Sequence, residues 1–497
     1  MDPARTLYLA LLAPALFAAL ALLRRPPTDA LRLLTAGTVA CAAALLPALR
    51  AVWRAGGSVT AAAGWLRLDA LSALHAVVVA IVFVPAAVHA GGYFRYELAR
   101  GAFPAHVARR FAALWFGALA ALLLVLFSNN LGVMWVGIEA TTLLTAFLIC
   151  THLSPGALEA MWKYLLMCSV GVAVAFMGIL LLAASTSRAG LPASSALLWT
   201  HLAEAVPRLD PALVKAGFLF LVVGFGTKAG LAPMHNWLPD AHSQAPAPVS
   251  AVLSGCLLNG ALYCILRVLP LAEGATGSAG WAREVLIALG LLSMALAAGF
   301  ILAQRDLKRL LAYSSIEHLG VMALGVGLGA AGAFAALLHM VGHALAKPLG
   351  FFCAGRVGQA WETQDMRRIG GVVRRAPLWG LALVLALLAL AGTAPGVLFL
   401  SEVLVLKAAI DGCAPWTAAA YLAILALTFI GVLRRAIALG WDDSMPAPAA
   451  PPPAPALADR LLVWTALALL TVLGLCLPFG LAGFLRQAAA IVTGGAP

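Results

Sequence analysis

The sequence predicts an all-α polytopic membrane protein of about fourteen transmembrane helices, and three observations predict it. Hydrophobic residues make up 63% of the chain and charged residues only 10%, with a mean hydropathy of +0.98; a soluble domain carries about 25% charged residues. Apolar runs of about 20 residues, the length a helix needs to cross hydrocarbon, recur from end to end. The 32 lysines and arginines fall in small groups between those runs, the arrangement that sets orientation in a bilayer. Basic residues scattered in that way do not form a face that grips phosphates, so the net charge of +12 does not point to nucleic acid.

Taken in order, the spans fall near 6–23, 31–50, 68–90, 111–128, 131–151, 163–184, 212–240, 247–268, 285–304, 309–329, 333–356, 377–411, 416–438 and 459–483. The first, Leu7 to Leu23, is followed rather than preceded by Arg24 and Arg25, the reverse of a signal peptide, and reads as a retained span. With the loop after it placed in the cytoplasm, 19 of the 32 basic residues lie inside, Arg305, Lys308, Arg309, Arg367, Arg368, Arg374 and Arg375 among them. Ten lie outside, including Arg267 and Arg283, and Lys228, Lys347 and Lys407 lie within spans. Both termini are therefore expected outside, in a bacterial-type inner membrane. Ser185 to Arg208 is expected to hold a short amphipathic helix, and Met445 to Ala456 is an extended Pro/Ala linker. The 8 cysteines are scattered without a C-x-x-C pair, so no iron–sulfur or zinc framework is assigned, and no cofactor is expected in this chain.

Two spans are interrupted by proline at depth. In Thr227-Lys-Ala-Gly-Leu-Ala-Pro-Met-His-Asn-Trp-Leu-Pro-Asp-Ala-His242, Pro233 interrupts the seventh; in Gly392-Thr-Ala-Pro-Gly396, Pro395 interrupts the twelfth. Paired broken helices point to an inverted repeat with ion sites at the breaks. The expected organisation is an N-terminal three-helix segment (1–110), two inverted five-helix repeats (111–270, spans 4–8, and 271–440, spans 9–13), and a linker with the last span (441–497).

Charge at membrane depth identifies candidate functional residues, because a carboxylate or ammonium at the centre of a span costs at least about 2.5–3.5 kcal/mol. The acids selected in this way are Glu139, Glu317 and Glu402, and the bases are Lys228, Lys347 and Lys407. His339, His343 and Lys347 stand at i, i+4 and i+8 on one face of the eleventh span, His318 joins them from the tenth, and His235 lies in the broken seventh. Imidazole accepts on one nitrogen and donates from the other near neutral pH, which suits a proton relay. Glu317, about 100° round the helix from His318, is expected to serve another wall. His339 and His343 have the spacing of some zinc ligands, but no glutamate intervenes as in H-E-x-x-H and no third ligand lies nearby in sequence, so no metal is assigned. Gly327-Leu-Gly-Ala-Ala-Gly332 fits G-x-G-x-x-G without the strand that dinucleotide binding requires.

The stretch TKAGLAPMHNWLPDAHSQAPAPVSAVLSG, beginning at Thr227, resembles the signature of the proton-translocating antiporter-like membrane subunits shared by respiratory complex I, multi-subunit cation/proton antiporters and membrane-bound hydrogenases. AYSSIEHLG (Ala312 to Gly320) and HALAKPLGFF (His343 to Phe352) lean toward the branch called hydrogenase-4 component F. The resemblance covers roughly Leu68 to Arg435. It implies that Glu139 and Lys228 are the family's fifth- and seventh-helix pair, and that Glu402 is the twelfth-helix group that ends the relay. Asn259 stands where complex I relatives often carry a lysine, and an amide orients water but holds no proton near pH 7. The resemblance further implies a non-redox subunit of a hydrogenase- or NADH-dehydrogenase-type oxidoreductase complex. Its partners would be other membrane subunits and, through them, a peripheral redox arm, with the lipid bilayer around it and protons as cargo. The alternative is a subunit of a cation/proton antiporter or of an inorganic-carbon uptake system.

Overall fold

A computed structural model describes residues 3–24, 26–55, 57–192, 195–277, 280–449 and 454–495. Arg25 and residues 450–453 of the expected linker lie outside the described residues. The helices, in order, are α1 (Pro3–Leu22), α2 (Pro27–Ala55), α3 (Ala70–Ala99), α4 (Val107–Phe127), α5 (Leu131–Ile149), α6 (Pro155–Arg188), α7 (Trp199–Ala205), α8 (Pro211–Ala229), α9 (Trp237–Gln244), α10 (Ala247–Val252), α11 (Leu258–Thr276), α12 (Trp281–Ala303), α13 (Leu307–Gly327), α14 (Ala330–Trp361), α15 (Val372–Arg375), α16 (Pro377–Leu390), α17 (Val397–Asp411), α18 (Pro415–Trp441), α19 (Leu457–Leu475) and α20 (Phe479–Val492). A short hairpin, Val59–Ala61 against Leu66–Leu68 with Val59 opposite Leu68, joins α2 to α3 and had no counterpart in the sequence reading.

The protein is a multi-pass membrane protein. Among the described residues, thirteen helices are long and apolar enough to cross a membrane. The residues expected in the seventh span are divided between α8 and α9, and those of the twelfth between α16 and α17. One boundary is corrected: the last expected span, 459–483, is α19 alone, and the separate α20 follows it. Hydropathy sees one apolar run there, whereas Pro478 starts a new helix that buries Leu485, Ala488 and Val492 against α3 and α14. The amphipathic helix expected after Ser185 is α7.

Side-chain caps fix where several spans begin. Asp69, Asn130, Ser154, Asp210 and Asp306 each accept backbone N–H groups at the starts of α3, α5, α6, α8 and α13, groups that no intrahelical carbonyl reaches. Close glycine contacts let backbones touch where no hydrophobic force holds helices together in lipid. A Cβ on Gly224 of α8 would meet the Gly171 carbonyl of α6, and one on Gly320 of α13 the Gly290 carbonyl of α12.

Polarity follows burial. The two least apolar spans, α13 and α14, are buried along their length, whereas α6 and α12, among the most apolar, are largely exposed. The helices that carry the most polar groups thus face protein. Toward one end of this core, Arg267 of α11 grips Asp69 through both guanidinium nitrogens at 2.7 and 2.6 Å and also donates to Ser72 and to the Tyr263 hydroxyl. The sequence reading left Arg267 among the outer loop charges, but it is buried beneath Trp199. Burial by itself would raise the Asp69 carboxyl, and the Arg267 charge and hydrogen bonds outweigh it, holding the group at about 2.

Candidate functional site

The first centre forms where α8 stops. Gly230, at φ 78°, caps that helix in the left-handed conformation, and the chain runs through residues 231–236 before α9 begins. Trp237 spans the gap, its Nε1 donating to the Thr227 carbonyl at 2.9 Å while its ring packs 4.9 Å from Tyr164. Lys228, one turn before the break, is 2% exposed. Its Nζ donates to Thr142 Oγ1 at 2.9 Å and to the Tyr164 hydroxyl at 2.5 Å, and Tyr164 in turn lies 2.6 Å from Thr145 Oγ1. Glu139, one turn before Thr142 on α5, accepts from Ser169 Oγ at 2.7 Å. Its second carboxylate oxygen is buried without a hydrogen-bond partner among the described residues. Lys228 and Glu139 are thus near in the fold but not paired: hydroxyls, not the carboxylate, hold the ammonium.

Between the two halves the polar groups are sparser. A π-turn over Leu253–Leu257 joins α10 to α11, the kind of irregularity that collects at functional positions, and there Ser254 Oγ meets Ser315 Oγ at 2.7 Å. Asn259 donates to the Gly255 carbonyl at 2.8 Å, and its own oxygen has no hydrogen-bond partner among the described residues. His235 is buried beside Phe300 and Tyr313. Two further groups stand here that sequence reasoning did not select. His242 is fully buried, stacked 5.0 Å from Phe351, and neither ring nitrogen has a hydrogen-bond partner among the described residues. Lys308, read as a loop charge, is buried and donates to the Ala245 carbonyl at 2.8 Å. Tyr164 was missed too, since nothing in a lone tyrosine within an apolar run signals contact with Lys228.

The second centre draws on α13, α14 and α17. Lys347 is fully buried and donates to the Leu311 carbonyl at 2.8 Å and to Ser314 Oγ. His343 lies one turn away with no hydrogen bond, its ring 5.3 Å from that of His318. His318 Nδ1 and His339 Nε2 are 2.8 Å apart, His339 Nδ1 and Ser401 Oγ 2.9 Å, and Ser401 donates to the Leu398 carbonyl at 2.8 Å. Because the single hydroxyl proton of Ser401 goes to that carbonyl, His339 donates to Ser401 from Nδ1 and accepts from His318 on Nε2. The chain of hydrogen bonds therefore has one direction, from α13 through α14 to α17.

Two expectations are corrected here. Glu317 does not serve another wall: its Oε2 lies 3.6 Å from His318 Nδ1, because a glutamate side chain is long enough to reach back round the helix. Lys407 is not part of the buried set. It stands five residues, about 140° round the helix, from Glu402, is 64% exposed, and pairs with Asp411 at 2.5 Å. Glu402 is buried, next to Ser401, with its carboxylate against the Cα of Gly392. Gly392 has φ 69° and no room for a Cβ on that side, so the break before α17 shapes the pocket for Glu402.

With this geometry in place, comparison with known proteins becomes informative. Residues 128–429 match the family described as NADH:quinone oxidoreductase/Mrp antiporter, TM. The chain belongs to this family. All the residues of both centres lie inside the matched segment. The chain is similar to the hydrogenase-4 component F homolog of Methylacidiphilum infernorum (isolate V4), 42% identical over 342 residues, covering 69% of this chain and 71% of the relative. It is also similar to NADH-quinone oxidoreductase subunit N of Desulforudis audaxviator (strain MP104C), 30% identical over 389 residues, covering 78% and 74%. In fold it resembles a chain of the membrane-bound sulfane sulfur reductase, an archaeal respiratory membrane complex, with a TM-score of 0.84 at 23% identity over 98% of this chain and 97% of that one.

Proposed function

We propose that this antiporter-like subunit conducts protons through the membrane arm of a redox-driven complex of the hydrogenase-4 or NADH-quinone oxidoreductase type. The observation that carries the reading is the directed relay His318–His339–Ser401 ending beside Glu402, every member of it buried. A proton placed on the far nitrogen of His318 releases the one on Nδ1 to His339, which passes its own to Ser401 as the Ser401 hydroxyl turns from the Leu398 carbonyl and gives its proton to the Glu402 carboxylate; each imidazole changes tautomer and neither needs to carry a lasting charge in low dielectric. Lys228 with Tyr164, Thr142 and Glu139 forms the corresponding station in the first half. His343 and Lys347 belong to the second station, His235, His242, Asn259 and Lys308 lie between the two, and water would complete the path where side chains do not touch.

On this reading residues 111–270 and 271–440 are inverted repeats that each contribute one station, the chain lies in a bacterial-type inner membrane with both termini outside, and redox chemistry takes place in partner subunits. A second reading, a cation/proton antiporter subunit, is favoured by the Mrp antiporter in the family's description. The deciding experiment reconstitutes the whole complex into vesicles and records proton uptake driven by its electron donor, for the parent and for Lys228→Ala. Uptake should be lost in the variant while electron transfer remains measurable. Uptake at the parental rate would refute the relay, and uptake that depends on a sodium gradient would favour the antiporter.

A further inference from the structure

Sequence spacing offers no metal site, because the candidate pair on α14 lacks a third ligand nearby in the chain. Folding supplies donors from other helices. One nitrogen each of His318 and His339 and one carboxylate oxygen of Glu402 lie within 4.8 Å of one another, all three residues buried and each from a different helix. A fourth donor faces them: Glu317 Oε2, 1% exposed, without a hydrogen-bond partner among the described residues and 3.6 Å from His318 Nδ1.

We propose that His318, His339 and Glu402 form a binding site for a divalent transition-metal ion of the zinc class, and that an ion bound there stops proton passage through the second centre. The second half of the statement rests on the relay proposed above; the first does not. Two imidazoles and a carboxylate are a ligand set that zinc favours, at about 2.0–2.2 Å per bond. Tetrahedral donors at that radius stand roughly 3.3 Å apart, so the widest pair has to close by no more than about 1.5 Å, within the swing of a glutamate side chain. The surroundings match a metal centre in two further respects. His339 Nδ1 donates to Ser401, the hydrogen bond that orients a ligating imidazole and keeps its Nε2 unprotonated, so that an ion takes the lone pair that now accepts from His318. The two carboxylates of Glu317 and Glu402 together balance a double positive charge, which gives a neutral assembly in a medium where net charge is costly.

Binding moves the proton of His318 from Nδ1 to Nε2, so that ring stays neutral while Nδ1 and His339 Nε2 turn their lone pairs to the ion. Those are the two nitrogens between which the relay hands its proton. An ion coordinated by both leaves no route from α13 to α17, and the metal acts as a blocker rather than a cofactor.

The test uses the purified, assembled complex at rest, with Co2+ as a spectroscopic probe of tetrahedral coordination, followed by Zn2+ in the vesicle assay. The parent complex should take up one more equivalent of Co2+, with visible d–d bands, than either Glu402→Gln or His339→Gln. Ser401→Ala, which removes only the orienting bond, should weaken binding roughly 10–100-fold. Zn2+ should abolish proton uptake by the parent over the same concentration range in which it displaces the Co2+ signal. Equal Co2+ uptake by the parent and both ligand variants would overturn the site, and undiminished proton uptake at Zn2+ concentrations that fully displace Co2+ would overturn the block. Should Glu402→Gln lose Co2+ yet move protons normally, the relay fails and the metal site stands.

Discussion

Replacing Glu139 by glutamine probes the first centre with the least structural change, because the amide keeps its size and can still bond Ser169 while losing only charge. In the structure the carboxylate is not in contact with Lys228, whose ammonium is held by Thr142 and Tyr164. The free Glu139 oxygen and the position of Thr142 one turn along the same helix leave a short movement by which the carboxylate approaches the ammonium. At an effective dielectric near 20 a pair at 4 Å is worth about 4 kcal/mol relative to full separation, which is the upper limit for what such an approach gains. Moving one charge against about 180 mV requires a similar amount, at about 2.3 kcal/mol per 100 mV. One carboxylate displacement can therefore supply up to an amount comparable with that cost, which makes a switched Glu139–Lys228 pair the hypothesis under test. Glu139→Gln should abolish proton uptake in vesicles driven by the native electron donor, and Glu139→Asp, which retains the charge on a shorter arm, should keep part of it. Normal pumping by Glu139→Gln in a fully assembled complex would refute the switch, and assembly is checked on the same preparation.

Lys347→Ala and Glu402→Gln should each lower proton translocation while the complex still assembles, since both side chains are buried within this chain; parental rates in both variants would exclude the second centre from the path. Asp69→Asn should destabilise the subunit by about 3–5 kcal/mol, because it leaves Arg267 buried without its counter-charge, a loss read as a lower Tm in detergent. The same pair predicts a pH dependence. The Asp69 carboxyl is held below its ordinary value of 3.8, at about 2, so its contribution of roughly 2–3 kcal/mol is fully present above pH ~4 and fades as pH falls toward 2. Unfolding followed between pH 2 and 5 should show that loss in the parent and not in Asp69→Asn. For orientation, single cysteines at 367 and 374 in a cysteine-free background should stay unlabelled by an impermeant reagent applied to intact cells; labelling there would invert the topology.

How much of this was legible beforehand can be judged residue by residue. Glu139, Lys228, Lys347 and Glu402 stood out because a charge in an apolar run is expensive wherever the run ends up, and His318, His339 and His343 because they cluster at helical spacing. Lys407 looked the same in the sequence and proved to be on the surface, since a run of apolar residues does not say which side of its helix is covered. Lys308 erred in the opposite direction: a lysine next to an arginine at a span edge reads as a loop charge, and only the packing of α9 against α13 buries it. Tyr164 and His242 gave no signal, because neither is costly in an apolar helix until a neighbour supplies, or fails to supply, a partner.

The sequence by itself determined that the chain crosses a membrane many times, where most spans lie, and that lysine, glutamate and histidine stand within otherwise apolar runs. Those properties belong to single helices, and hydropathy and period are local. The tertiary structure alone decided that Glu139 and Lys228 stand apart, that Glu317 turns toward His318, that the hydrogen bonds from His318 through His339 to Ser401 share one direction, and that three helices bring two imidazoles and a carboxylate within 4.8 Å of one another. Each of these depends on distances between side chains far apart in the chain, and such distances are fixed only when the helices pack and buried polar groups find what partners they can.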